Sequence, residues 1–256
     1  MGQAGGGGPD TSFIRVVALS IVVGVVGTGT GGIIVSLWGS PGRKVLALFM
    51  GVSAGVMISM ATFDLMPEAF AEAGTYLSLA ALLAGALATM AVDLFLPHSH
   101  HLTSDRESSR FARTAVVVAA GIGMHDLPEG LAVGASFGAA LSLGLRIATL
   151  MFLHNVPEGM AVAAPLAAMR KSRRDIILVS ACTGLPSVLG TAIGSAISVS
   201  PLILAFSLAF SAGAMLFVTF DELIPGAQEL AEGHAGTLGA VAGMIAGISL
   251  SRLLGR

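Results

Sequence analysis

PLILAFSLAFSAGAMLFVTFDELI, residues 201–224, runs twenty positions from Pro201 to Phe220 without a charge. At 1.5 Å per residue, about twenty helical residues cross the roughly 30 Å hydrocarbon core of a bilayer. The run is apolar nearly all round, not along one stripe, so it is not the inward face of a soluble bundle. Comparable runs recur at roughly 13–37, 45–67, 76–96, 114–137, 143–168, 176–198 and 237–254. The expected fold class is therefore an all-α integral membrane protein of about eight transmembrane helices.

Composition agrees. Of 256 residues, 54% are hydrophobic and 11% charged, and the mean hydropathy is +0.87; soluble domains carry about 25% charged residues. Transmembrane barrels alternate polar and apolar positions, a pattern absent here. The 34 glycines suit close helix packing in lipid. Cys182 is the one cysteine, which excludes a disulfide framework and a thiolate cluster, and it reads as packing. No basic tract suggests nucleic acid as a partner. The expected partners are the bilayer and an ion, and the sequence leaves homodimer assembly open.

Residues 1–12, MGQAGGGGPDTS, read as a disordered tail. No basic region precedes the first apolar run, so its helix is expected to remain in the mature protein. Residues 13–256 form a single transmembrane domain, divided into 13–96, 114–168 and 176–254. The polar connection 97–113, PHSHHLTSDRESSRFAR, is too hydrophilic to cross. Connections after odd-numbered spans carry Arg43, Lys44, Arg106, Arg110, Arg113, Arg170, Lys171, Arg173 and Arg174, whereas the other side has Arg15, Arg146, Arg252 and Arg256. The positive-inside rule then places both termini outside the cell membrane.

An internal repeat is also legible. SAGVMISMATFDLMPEA, residues 53–69, aligns without gaps on SAGAMLFVTFDELIPGA, residues 211–227, with Asp64 on Glu222. The second span thus matches the seventh, five crossings on, so the copies run in opposite directions. Inverted repeats frame many secondary transporters, with the site near the midplane.

The fourth and fifth spans hold a second pair. His125-Asp126-Leu127-Pro128-Glu129-Gly130 aligns with His154-Asn155-Val156-Pro157-Glu158-Gly159, near the middle of each span. An ionised acid at the centre of a lone helix costs about 2.5–3.5 kcal/mol on insertion scales, so these groups must face the bundle interior and find partners. His125 and Glu129 at i, i+4 share a helical face, as do His154 and Glu158. Asp126 and Asn155 fall beside that face. Pro128 and Pro157 free the carbonyls of Met124 and Leu153, and Gly130 and Gly159 remove side chains where the two helices could press together. A neutral hydrogen-bonded network would be the plainer use of such groups. Two imidazoles and three acids in one apolar layer instead favour a divalent cation, which relieves both repulsion and desolvation.

HDLPEG and HNVPEG at this spacing resemble the paired motifs of the ZIP (Zrt/Irt-like) metal transporters, and within them the GufA-like bacterial branch. The resemblance covers nearly the whole chain. It implies a 3+2+3 arrangement and a site bridged by Glu129 and Glu158, with one or two ions. His125 would serve one position, with Met57 as a soft ligand and His154 as a further one; Asp126 and Asn155 would serve the second. The sequence departs where many relatives carry Glu on the sixth span: Ser187 stands there, which weakens the second position.

Asp64 and Glu222 lie near helix ends and suit either pathway lining or interfacial snorkelling, with Glu68 beside the same mouth. Asp93 reads as an exit-path ligand. His98, His100 and His101 form a loop cluster that collects metal or is merely solvated. Together these features predict a carrier of Zn²⁺, with Fe²⁺, Mn²⁺ or Cd²⁺ also compatible with mixed imidazole and carboxylate ligands. The alternative is an intramembrane zinc hydrolase, but no H-E-x-x-H or G-x-S-x-G signature is present. A metal sensor lacks any output domain here. No phosphate-binding G-x-x-x-x-G-K-[ST] loop is present to couple ATP.

Overall fold

The computed structural model describes residues 11–38, 42–95, 106–139, 141–196 and 200–254. Among them every regular element is a helix: α1 Thr11–Ile21, α2 Gly27–Leu37, α3 Arg43–Met60, α4 Met66–Phe95, α5 Arg106–Ala139, α6 Leu141–Ala168, α7 Arg173–Thr183, α8 Leu185–Ala196, α9 Pro201–Val218, α10 Ile224–Leu230 and α11 Ala235–Leu254. Among the described residues, six segments are long and apolar enough to cross a membrane: Phe13–Leu37, Arg43–Leu94, Ala115–Gly138, Arg173–Ala196, Pro201–Leu230 and Ala235–Leu253. The second of these, at 52 residues, is more than one crossing needs. It breaks at Gly74, whose φ of 73° and ψ of 172° lie outside any helix and suit only glycine. The break falls between the runs expected at 45–67 and 76–96. The run expected at 143–168 lies on α6. Helix α1 begins inside the expected tail, and the rest of that tail lies outside the described residues, as do His98, His100 and His101.

Local chemistry sets the ends of several helices. Ser172 Oγ accepts from the Asp175 N–H at 3.2 Å to start α7. Ser200 Oγ accepts from the Ile203 N–H at 3.3 Å, with Pro201 opening α9 where a missing N–H is harmless. Among the described residues, three π turns interrupt the long helices, at Val22–Val26, Ala61–Leu65 and Thr219–Leu223. The last two occupy matching positions in the alignment of 53–69 on 211–227. Such turns are rare and gather at functional sites.

Packing follows the glycines. A Cβ on Gly55 would strike the Ala240 carbonyl, and one on the aligned Gly213 would strike the Leu82 carbonyl. Likewise Gly243 meets the Val52 carbonyl and Gly85 meets that of Phe210. These contacts keep one sequence spacing throughout, so α3 packs on α11 as α9 packs on α4. A second set joins α2 to α6 and α5 to α8: Gly31 meets the Val156 carbonyl, and Gly190 meets that of Leu127. Backbone contact at the described glycines stays within these two groups, the first of α3, α4, α9, α10 and α11 and the second of α1, α2 and α5–α8.

Two expectations need correction. Gly130 does not admit α6 but the Ser187 carbonyl of α8, and Gly159 admits the Thr28 carbonyl of α2. The His and Glu side chains occupy the face between α5 and α6, which leaves the glycines to take flanking helices. Cys182 is exposed, not packed, on a groove with Ala119, Gly123 and Pro186. Trp38 is exposed at a helix end and meets Phe49 edge to face, with ring centroids 5.2 Å apart.

Since the Ala240 carbonyl leaves no room at Gly55, Gly55→Val should destabilise the fold by about 1–3 kcal/mol, the usual range for overpacking. A Cβ at Gly138 meets nothing within 4 Å, so Gly138→Ala should leave the melting temperature in detergent near the parent value. Equal melting temperatures for both variants would refute the close packing at Gly55.

Candidate metal centre

Helices α5 and α6 run unbroken through Pro128 and Pro157, and this brings the two motifs face to face. His125, Asp126, Glu129, His154, Asn155 and Glu158 are all buried. His125 Nδ1 lies 3.0 Å from the Gly121 carbonyl, which can only accept, so Nδ1 carries the proton. That bond fixes the ring and leaves Nε2 as the donor atom, the arrangement usual for a metal-binding imidazole. Nε2 stands 2.6 Å from Glu158 Oε1 and 3.4 Å from Asp126 Oδ1. His154 Nε2 lies 2.9 Å from the same Glu158 oxygen but is not aligned for a hydrogen bond.

Glu158 Oε1 is therefore the point on which both imidazoles converge. Around it, Glu158 Oε2, Glu129 Oε1, both Asp126 oxygens and both His154 ring nitrogens have no hydrogen-bond partner among the described residues. An unpaired polar atom buried this way costs about 1–3 kcal/mol, and more when charged. One donor atom each from His125, Glu129 and His154 lies within 4.8 Å of the others, and the same holds for His125, Asp126 and Glu158. Two overlapping donor groups thus share His125. Nitrogen and carboxylate oxygen donors at this density suit Zn²⁺ or a similar divalent ion.

A family model described as "ZIP Zinc transporter" matches residues 95–255. The chain belongs to the ZIP zinc transporter family. It is 32% identical over 243 residues to a protein named "Zinc transporter ZupT" from Escherichia fergusonii, covering 91% of this chain and 94% of that one. A protein of the same name from Escherichia coli strain HS is 33% identical with the same coverage. Membership makes this a multi-pass membrane protein of a transporter family, and the hydrolase alternative falls with it.

The remaining residues of this ZIP chain sort by neighbourhood. Asn155 Nδ2 donates to the Val23 carbonyl at 2.8 Å, in the π turn that follows α1. Met57 is fully buried, and its Sδ accepts from Thr219 Oγ1 at 3.9 Å. Ser187 is buried with its carbonyl against Gly130, the residue after Glu129. Asp64 is half-buried in its π turn, where Oδ1 accepts from Ser251 Oγ at 2.5 Å. Glu68 is exposed. Asp93 and Glu222, both buried, share a third donor group with the exposed Asp221.

Sequence reasoning passed over Asp221 and Ser251. The aligned spacing could have found Ser251, because it stands to Asp64 as Asp93 stands to Glu222. Asp221 carried a weaker signal, an acid adjoining another acid. The Gly121 and Val23 carbonyls that orient His125 and Asn155 have no signature in side-chain identity.

If the orphaned donors hold a cation, zinc must stabilise the fold. At a hundred times Kd, Zn²⁺ should add about 2.7 kcal/mol and raise the melting temperature of purified protein. Glu158→Ala should erase that shift, whereas exposed Glu68→Ala should keep it. A full zinc shift in Glu158→Ala would place the ion elsewhere.

Proposed function

We propose that this chain carries Zn²⁺ across the cell membrane towards the cytosol through the layer between α5 and α6. One observation carries the reading most: two imidazoles converge on Glu158 Oε1 amid buried, unpartnered donor atoms. An ion there relieves a cost that the bundle otherwise bears, and the donors belong to the part of the chain that matches the family model. The first position uses His125, Glu129, His154 and Glu158, with Met57 as a soft neighbour. The second uses Asp126 and Asn155 with Glu158. Its weakness follows from Ser187, a hydroxyl where a carboxylate would add charge. Fe²⁺, Mn²⁺ and Cd²⁺ suit the same donors, and within the family the chain fits the GufA-like branch.

The architecture is eight crossings in a 3+2+3 inverted repeat. The break at Gly74 supports two crossings in Arg43–Leu94, and α6 supplies a span with the length of 28 residues. The matching π turns and glycine contacts support duplication. Both termini face outside, by the excess of basic residues on the opposite side. Asp64 with Ser251 flanks the outer mouth. Asp93, Asp221 and Glu222 flank the inner one, and access alternates as one helix group moves against the other.

Purified protein in zinc-free liposomes should accumulate Zn²⁺ down its gradient. Loss of an outer partner of a metal costs about 10–100-fold, so Glu158→Ala, which removes a direct donor, should lower uptake by at least that much. Near-parent flux in Glu158→Ala at equal reconstitution would remove the proposal.

Orientation has its own test. In a Cys182→Ala background, a cysteine beside Asp64 should react with an impermeant thiol reagent from outside sealed cells. One beside Glu222 should react only after the membrane is opened. Equal labelling of both from outside would overturn the inverted topology.

A further inference from the structure

A cluster of cations sits where α6 turns into α7. Arg170-Lys171-Ser172-Arg173-Arg174 puts four basic residues into five positions, and Asp175 is the acid that follows. All of residues 170–175 are exposed. None of the four cations forms an ion pair among the described residues. Asp175 turns instead to Ser172, whose Oγ donates to Asp175 Oδ2 at 2.7 Å and caps α7. Four cations less one acid leave three net positive charges beside the start of an apolar span.

The turn that carries them is tightly closed. The Arg170 N–H donates to the Ala167 carbonyl at 2.9 Å, and the Lys171 N–H to the Leu166 carbonyl at 3.1 Å. Such a pair of bonds ends a helix through a left-handed residue, usually glycine. Here that residue is Arg170, with a φ of 56°. The cations are therefore held in a short, fixed arc.

An apolar groove opens next to this arc, between α5 and α7, lined by Ala119, Gly123, Leu178, Val179, Cys182 and Pro186. Leu178, Val179 and Cys182 are exposed, so its mouth faces the lipid. Small residues leave the space on the α5 side: a Cβ on Gly123 would meet no atom nearer than Pro186 Cγ at 3.5 Å. The far end closes where α7 stops at Gly184 and α8 begins with Leu185 and Pro186. Arg174, Leu178 and Cys182 follow at i, i+4 and i+8, along one face of α7. The groove thus leads away from the cations for about 12 Å, the rise from Arg174 to Cys182.

We infer that the cations and the groove form one binding site for an anionic phospholipid. Arg173 and Arg174 hold its phosphate, and one acyl chain lies along Leu178 and Cys182 against Ala119 and Gly123. Charge and apolar length occur here in the order in which a phospholipid carries them, headgroup at the boundary and chain towards the midplane. Basic pockets beside membrane helices take such headgroups, and guanidinium groups match phosphate oxygens in pairs. A zwitterionic phospholipid offers the chain without net charge, and free phosphate offers the charge without a chain. Each would use half of the site. The inference rests on the membrane class of the chain, not on the movement of zinc.

Native mass spectrometry of the purified protein in detergent counts the lipids it retains. Offered equal amounts of phosphatidylglycerol and phosphatidylcholine with the same chains, the parent should prefer one phosphatidylglycerol by about tenfold or more. Arg173→Gln/Arg174→Gln should weaken that retention by roughly 25-fold, about fivefold for each cation removed. Ala119→Leu leaves every charge in place and fills the groove, and should weaken retention by about fivefold or more. Val179→Trp closes the groove from its exposed rim where Ala119→Leu does not fold. Cys182 reports occupancy directly: phosphatidylglycerol should slow its alkylation by a small thiol reagent, and glycerol phosphate should not. Equal retention of the two lipids would overturn the inference, since no headgroup is then recognised. Retention that falls with the arginines and survives both groove changes would overturn it as well, leaving only a diffuse attraction. So would displacement of the lipid by an equal concentration of glycerol phosphate, which would make this a phosphate site without a chain.

Discussion

Everything in this bundle is organised around one electrostatic difficulty: three carboxylic acids and two imidazoles sit buried in a layer made for hydrocarbon. Glu158 Oε1 is the centre of that difficulty, with His125 Nε2 at 2.6 Å and His154 Nε2 at 2.9 Å. A ring nitrogen this close to a carboxylate oxygen must either carry a proton or share a cation with it. A divalent ion, as we propose, would meet that need, and the unpartnered oxygens of Asp126 and Glu129 would share it.

The surrounding helices answer to that layer. Glycine at 130 and 159 lets Ser187 and Thr28 close over the motif helices by backbone contact, so α2 and α8 brace α5 and α6 without side chains intruding on the donors. Polar anchors are backbone carbonyls, one from the same helix and one from another. The Gly121 carbonyl sets the His125 ring, and the Val23 carbonyl holds Asn155 from a π turn on another helix. Small residues bring backbones together in lipid, where burial of apolar surface supplies little drive for helix association.

Much of this was legible in the sequence, for reasons that differ by feature. The apolar runs and the break near Gly74 follow from hydrocarbon thickness and glycine geometry. The donor set follows from i, i+4 spacing and the cost of a charge in lipid. The repeat was visible as matched residues, and its structural counterpart is a pair of π turns at aligned positions. What stayed hidden depends on contacts between distant segments. Which helix each motif glycine admits, and the exposure of Cys182, depend on how spans pack around one another, which no local pattern encodes. Asp64 and Glu222 looked alike in the alignment. Their neighbours differ because Ser251 stands where its counterpart is Asp93, giving a hydroxyl–carboxylate bond at one acid and a cluster of acids at the other.

The central claim is that cargo sits at Glu158 between the two motif helices, and anomalous scattering at the zinc edge locates it most directly. Crystals of zinc-loaded protein should show an anomalous peak within the usual bonding range of about 2.0–2.2 Å from His125 Nε2 and a Glu158 oxygen, and Glu158→Ala crystals should lack it. A peak confined to Asp93, Asp221 and Glu222, with none between α5 and α6, would contradict the account.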